Sequence, residues 1–125
     1  MRALLCSAFG PLEHLAIREI EPPRPGPHQV RIDVKAASLN FPDVLMAQGL
    51  YQVKPPLPFS PGTEIAGVVA AVGAEVMGFK PGDRVIASGL GGFAEECVVD
   101  AERVMPLPEG MDFETGAAFV LTYCT

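Results

Sequence analysis

The sequence predicts a mainly β domain: a partly open β-barrel of short strands with short helices. Three observations carry that expectation. Val30, Ile32, Val34 and Ala36 alternate with Arg31, Asp33 and Lys35, the pattern of an antiparallel strand with one wet face. Thirteen prolines and thirteen glycines are spread between apolar runs along 125 residues, which marks many short strands and turns. The stretch from Pro61 to Val85 reads as a strand of small and β-branched residues, a loop, a Pro81-Gly82 turn and a second strand. Proline presets φ at the second turn position and glycine tolerates positive φ at the third, so a type II turn fits.

The elements follow in order. Arg2 to Ala8 is a first strand, ended by Gly10-Pro11, and Leu15, Ile17 and Ile20 mark a second with imperfect alternation. The prolines between Glu21 and Pro27 forbid regular pairing there. After the alternating strand, Phe41, Val44, Leu45 and Met46 take helical spacing, with Asn40 as N-cap, Asp43 as a first-turn charge and Gly49 as the stop. Val53 to Pro61 is a proline-rich loop holding no regular element. Val68 to Val72 is apolar throughout, as in a strand covered on both faces. Arg84 to Ala87 and Phe93 to Val99 are expected to be the arms of a hairpin around Gly89-Leu90-Gly91-Gly92. Asp112 caps a final helix carrying Glu114, Ala117, Ala118, Phe119 and Leu121.

Bulk properties narrow the function. One domain of this size buries roughly two-thirds of its unfolded surface, and 49% apolar residues supply a core. The net charge of −6 speaks against nucleic acid or an anionic membrane as partner. No apolar run approaches the ~20 residues of a membrane span, and Met1 to Phe9 lacks the layout of a signal peptide. Cys6, Cys97 and Cys124, odd in number and far apart, suit a reducing cytoplasm.

Two motifs invite chemistry and fail on inspection. Gly89-Leu90-Gly91-Gly92-Phe93-Ala94 formally matches the dinucleotide fingerprint, which requires a helix straight after the glycines so that its amides face the pyrophosphate. Here β-type residues and the carboxylates of Glu95 and Glu96 follow. The three cysteines with His14 and His28 contain no closely spaced ligand pair of the kind structural zinc uses.

The run Pro61-Gly62-Thr63-Glu64-Ile65-Ala66-Gly67-Val68-Val69, followed by Pro81-Gly82-Asp83-Arg84-Val85, resembles the GroES-like domain that opens medium-chain dehydrogenases/reductases. There Gly-x-Glu-x-x-Gly-x-Val precedes Pro-Gly-Asp-Arg-Val, and the similarity extends from Met1 to Thr125. Zinc-dependent members of that superfamily place ligands where this chain has Asn40, Thr63 and Leu121. The cysteine-rich lobe for a second zinc has no counterpart between Val85 and Glu102, so the resemblance implies no metal. Asn40-Phe41-Pro42-Asp43 with Gly49-Leu50-Tyr51 is similar to the zinc-independent quinone oxidoreductase branch.

That resemblance implies an NADPH-dependent oxidoreductase passing hydride to a quinone or activated alkene, cytoplasmic and homo-oligomeric when whole. It implies that Asn40, Tyr51 and Thr125 line the cleft as catalytic and cofactor-facing groups, and that Glu64 is structural, tying strand to loop. It also implies that residues 1–125 are the GroES-like part of a longer chain, cut before a Rossmann domain that binds NADPH. Three alternatives stay open: a stand-alone GroES-like binding module, an acyl-chain enoyl reductase, and an alcohol dehydrogenase that uses zinc.

Overall fold

A computed structural model describes residues 1–10, 15–38, 43, 47–49, 60–89 and 91–124, with the side chains of 119–124 excepted. Among the described residues seven strands and one long helix stand out: β1 (Arg2–Cys6), β2 (Leu15–Glu19), β3 (Gln29–Ser38), β4 (Glu64–Val72), β5 (Arg84–Ser88), β6 (Glu96–Asp100), β7 (Val104–Pro106) and α1 (Phe113–Cys124). A 3-10 turn, Ala101–Arg103, joins β6 to β7. The expected mainly β class is found. β1 and β2 form an antiparallel ribbon, and the other five strands form one antiparallel sheet in the order β6-β3-β4-β5-β7. The sheets do not close into a barrel. They curl nonetheless: Cys97 and Val99 from one edge strand and Val104 from the other share one core with Val30, Ile32, Ile65, Val69, Val85 and Ala87.

The opposite face of β3, β4 and β5 is covered by α1, over a second cluster of Ala66, Ile86, Leu107 and Ala117. Alternation along β4 divides the layers. Ile65 and Val69 enter the curled core, while Glu64 and Ala66 lie on the helix side. Coverage on both faces is found at the start of β4, where 64–67 are all buried, and fades toward Val72. The strand also begins four residues earlier than the apolar run marks, because Gly67 separates Ile65 and Ala66 from that run.

The predicted alternating strand is β3, with one correction. Val30, Ile32 and Val34 face the curled core, but Ala36 packs on the helix side with Ala66 and Ala117. A register shift between Val34 and Ala36 explains the change. The extra residue, Lys35, bends the strand and turns the residues beyond it to the other face. Ser38 is thereby aimed at α1.

The expected hairpin is overturned. β5 pairs with β4 and β7, whereas β6 pairs with β3 at the far edge of the sheet. The glycine-rich segment between them is a crossover, laid along Ser60 to Thr63. The Gly92 and Phe93 amides donate to the Gly62 and Pro61 carbonyls at 2.9 Å each, and the Gly89 amide donates to Thr63 at 2.9 Å. A β-carbon on Gly92 would lie 2.6 Å from Ile65 Cγ2. The glycines permit this close approach of backbones, a packing role that looks like a turn in sequence.

Other expectations are met. Lys80 to Asp83 is a closed turn with the Asp83 amide donating to the Lys80 carbonyl at 3.1 Å and Gly82 at φ 97°. The first two strands run Arg2–Cys6 and Leu15–Glu19, shorter than the apolar residues suggest. Asp43, Ala47 and Gln48 are helical, and Gly49 follows with φ 75°. The N-cap assigned to Asn40 lies outside the described residues, as does most of the proline-rich loop.

Candidate functional site

A polar junction joins β3, β4 and α1. Ser38 ends β3, and Glu64 opens β4 directly opposite it. Ser38 Oγ stands 3.1 Å from Glu64 Oε2 and 3.0 Å from the Ala117 carbonyl oxygen of α1. Glu64 is only 2% exposed. A buried carboxyl without partners costs several kcal/mol, so this contact is a specific requirement of the fold. Asp43, at 1% exposed, is the second buried carboxyl, on the helical stretch that follows β3.

The junction joins segments that lead to two of the predicted cleft residues, Asn40 and Thr125, and to Thr63, where zinc-dependent relatives place a ligand. Asn40 lies two residues past Ser38, Thr63 immediately precedes Glu64, and Thr125 follows the last residue of α1. Asn40, Tyr51 and Thr125 themselves lie outside the described residues. Thr63 is partly buried, with its carbonyl engaged by Gly89. Leu121 lies on α1 with its side chain outside the description.

Other chemistry-bearing groups are engaged elsewhere. Cys97 is buried in the curled core, and burial pushes its thiol up to about 12. The Cys6 thiol points at the Ala8 and Ala47 carbonyls. Among the described residues, no three His, Cys, Asp or Glu side chains converge as a metal set would. No described helix is long and apolar enough to cross a membrane. Around the glycine-rich crossover the carboxylates are paired. Glu95 accepts from the Arg2 backbone amide at 2.9 Å and its Nε at 3.1 Å. These contacts, the backbone bond foremost, hold the Glu95 carboxyl below its usual range. Glu96 sits 3.3 Å from Arg31 in an ion pair too poorly aligned to count as a hydrogen bond.

Residues 26–109 match the family model of the alcohol dehydrogenase GroES-like domain. The chain belongs to that family. Quinone oxidoreductase-like protein 2 of Rattus norvegicus is 41% identical over 125 residues, covering 99% of this chain and 35% of the relative. Among solved structures, human synaptic vesicle membrane protein VAT-1 homolog-like protein superposes with a TM-score of 0.94 at 36% identity, over 98% of this chain and 40% of its own. Escherichia coli quinone oxidoreductase, solved with NADPH, superposes at 0.88 and 34% identity, over 95% of this chain and 37% of its own. This GroES-like chain therefore spans about a third of the length of the curated relatives it matches.

The junction explains part of the motif that marked the family. Glu64 contacts the β3 serine, which also reaches the Ala117 carbonyl of α1. Ser38 was missed by sequence reasoning. A lone serine at a strand end carries no signal, and only the bulge at Lys35 gives it a role.

Proposed function

We propose that this GroES-like chain is the N-terminal part of an NADPH-dependent oxidoreductase that passes hydride to a quinone or an activated alkene. The observation that carries the reading is likeness to quinone oxidoreductases across nearly the whole chain, joined to the Asn40-Phe41-Pro42-Asp43 and Gly49-Leu50-Tyr51 segments. NADPH, when bound, supplies the hydride. The described residues offer its phosphates no cradle: the glycine run leads into β6, and α1 opens with the acidic Asp112 and Glu114. The phosphates are thus left to the longer protein, in a Rossmann domain beyond the 1–125 GroES-like part.

In this reading, Asn40, Tyr51 and Thr125 hold the nicotinamide and the acceptor in reactive geometry. The Asn40 amide can both donate and accept, which suits a carboxamide or a quinone oxygen. No metal takes part, because amide, hydroxyl and alkyl groups at Asn40, Thr63 and Leu121 cannot replace thiolate and imidazole. The enzyme acts in the cytoplasm as a homo-oligomer on a small-molecule acceptor.

The test uses the full-length protein. Losing one positioning hydrogen bond costs ~1 kcal/mol, somewhat more in a dry cleft. Asn40→Ala should therefore lower kcat/KM for a quinone by about tenfold. Asn40→Asp preserves a helix cap but removes the amide donor, so it should lose activity while keeping its melting temperature. Full activity in Asn40→Asp would remove Asn40 from the cleft.

A further inference from the structure

The exit of β1, from Cys6 to Gly10, closes over the helical residues Ala47 and Gln48 and the glycine that follows them. The last carbonyls of a helix have no donor within it, and here donors arrive from outside. The Gly10 amide donates to the Ala47 carbonyl at 3.2 Å, and the Cys6 thiol lies 3.7 Å from the same oxygen. A carbonyl has two lone pairs and can take both. Cys6 and Ala47 are buried together, with Phe9 and Leu15 packed against them. Gly49 completes the contact. A β-carbon there would lie 2.9 Å from Phe9 Cβ, 3.2 Å from its Cγ and 3.5 Å from its Cδ1, so the base of the Phe9 ring sits against bare backbone. Gly49 also holds φ 75°, a conformation that residues with a side chain rarely adopt. Where the chain leaves the helical residues, it is thus held by a hydrogen bond, a buried thiol and a ring from one neighbouring segment.

We propose that Phe9 is a positioning residue for Tyr51 and acts through Gly49, which precedes Tyr51 by two residues in sequence. Phe9 and the Gly10 amide fix the point from which Leu50 and Tyr51 depart. The proposal rests on the functional reading above for its catalytic consequence, since that reading sets Tyr51 beside the nicotinamide and the acceptor. Phe9 itself touches neither in this scheme.

Two readouts on the full-length protein test it, one of them independent of any reductase activity. In native-state hydrogen exchange, Phe9→Ala should speed exchange of the Gly49 to Tyr51 amides by about tenfold. Phe9→Leu keeps a Cβ, a Cγ and a Cδ, the atoms nearest Gly49, and should stay close to wild type. Unchanged rates in Phe9→Ala overturn the placement. Phe9→Val, a milder truncation, should follow Phe9→Ala and decides the matter if the alanine variant does not fold. The second readout is a double-mutant cycle well below the melting temperature. Phe9→Ala should lower kcat/KM for a quinone by about tenfold, and Phe9→Leu should restore most of it. In a Tyr51→Phe enzyme, which has already lost the hydroxyl being positioned, the same truncation should cost about twofold or less. Equal losses in both backgrounds would show that Phe9 does not act through Tyr51. A Phe9→Ala enzyme altered only in melting temperature would reduce the contact to a structural one and overturn the proposal. An inactive wild type would count against the quinone reading, and the exchange rates would still decide the placement.

Discussion

A methyl group added at Gly67 would overlap the backbone oxygen of Asp33 and lie 2.9 Å from Ile32 Cγ2. Gly67 pairs with Val34 at the β3 bulge. The obstacle is backbone, so no rotamer change relieves it. Gly67→Ala should destabilise the fold by about 3 kcal/mol, in the range of severe overpacking. Denaturant unfolding should show a lower midpoint with unchanged slope, and a midpoint equal to wild type would contradict the packing. Cys97 gives a second residue-scale test. Burial raises its folded thiol to about 12, above the ordinary 9.0. Between those values the unfolded chain releases a proton that the folded chain keeps. Stability from this group is thus intact below pH 9 and falls by ~1.4 kcal/mol per unit above it. Unfolding measured across alkaline pH should show that slope in wild type and a shallower one in Cys97→Ala. Parallel slopes would mean that Cys97 is not the group responsible.

The elements were legible wherever the signal is local. Asp112 was read as a helix cap, and its Oδ1 accepts the Thr115 amide at 2.7 Å. The Thr115 side-chain and backbone hydrogen bonds hold the Asp112 carboxyl below its usual range. A lowered folded value means the cap contributes stability above the ordinary carboxylate range and loses it as pH falls through the folded value. Asp112→Ala should therefore melt earlier than wild type at neutral pH, and the gap should close in acid. Asp112→Asn, which still caps, should stay near wild type when neutral; equal melting of all three would deny the cap. The Lys80 to Asp83 turn and the polar-apolar alternation at the start of β3 were readable for the same reason. Pairing was not. Glycines between two β-type runs look alike whether they turn a hairpin or let a crossover pass close to another strand. Only the distant partners, Ile65 for Gly92 and Val99 for Gly89, separate the two. The bulge at Lys35 was likewise invisible, since it depends on the register with β4.

At the scale of the molecule, the class of fold followed from turn punctuation and alternation, while the cleft could be named only through family resemblance. Of its three residues only Asn40 lies close to the junction in sequence, two residues past Ser38, and no periodicity marks any of them. The molecule-wide prediction concerns what this chain does without the rest of a longer protein. Its glycine-rich crossover matched a dinucleotide fingerprint, yet hydrogen bonds of its described residues run to Ser60 to Thr63 and to β1. The carboxylates of Glu95 and Glu96 follow at once. Pyrophosphate needs free amides at a helix N-terminus and is repelled by fixed negative charge. The single long helix among the described residues opens with a side-chain cap already on its amides and with Glu114 in its first turn. Residues 1–125 alone should therefore show no micromolar affinity for NADPH and no quinone reduction, whereas the longer protein should show both. Calorimetry and nicotinamide fluorescence on the two chains make the comparison. A micromolar site on the 125-residue chain would require the crossover glycines to release their backbone partners, and would overturn the proposed assignment of phosphate binding to a Rossmann domain outside residues 1–125.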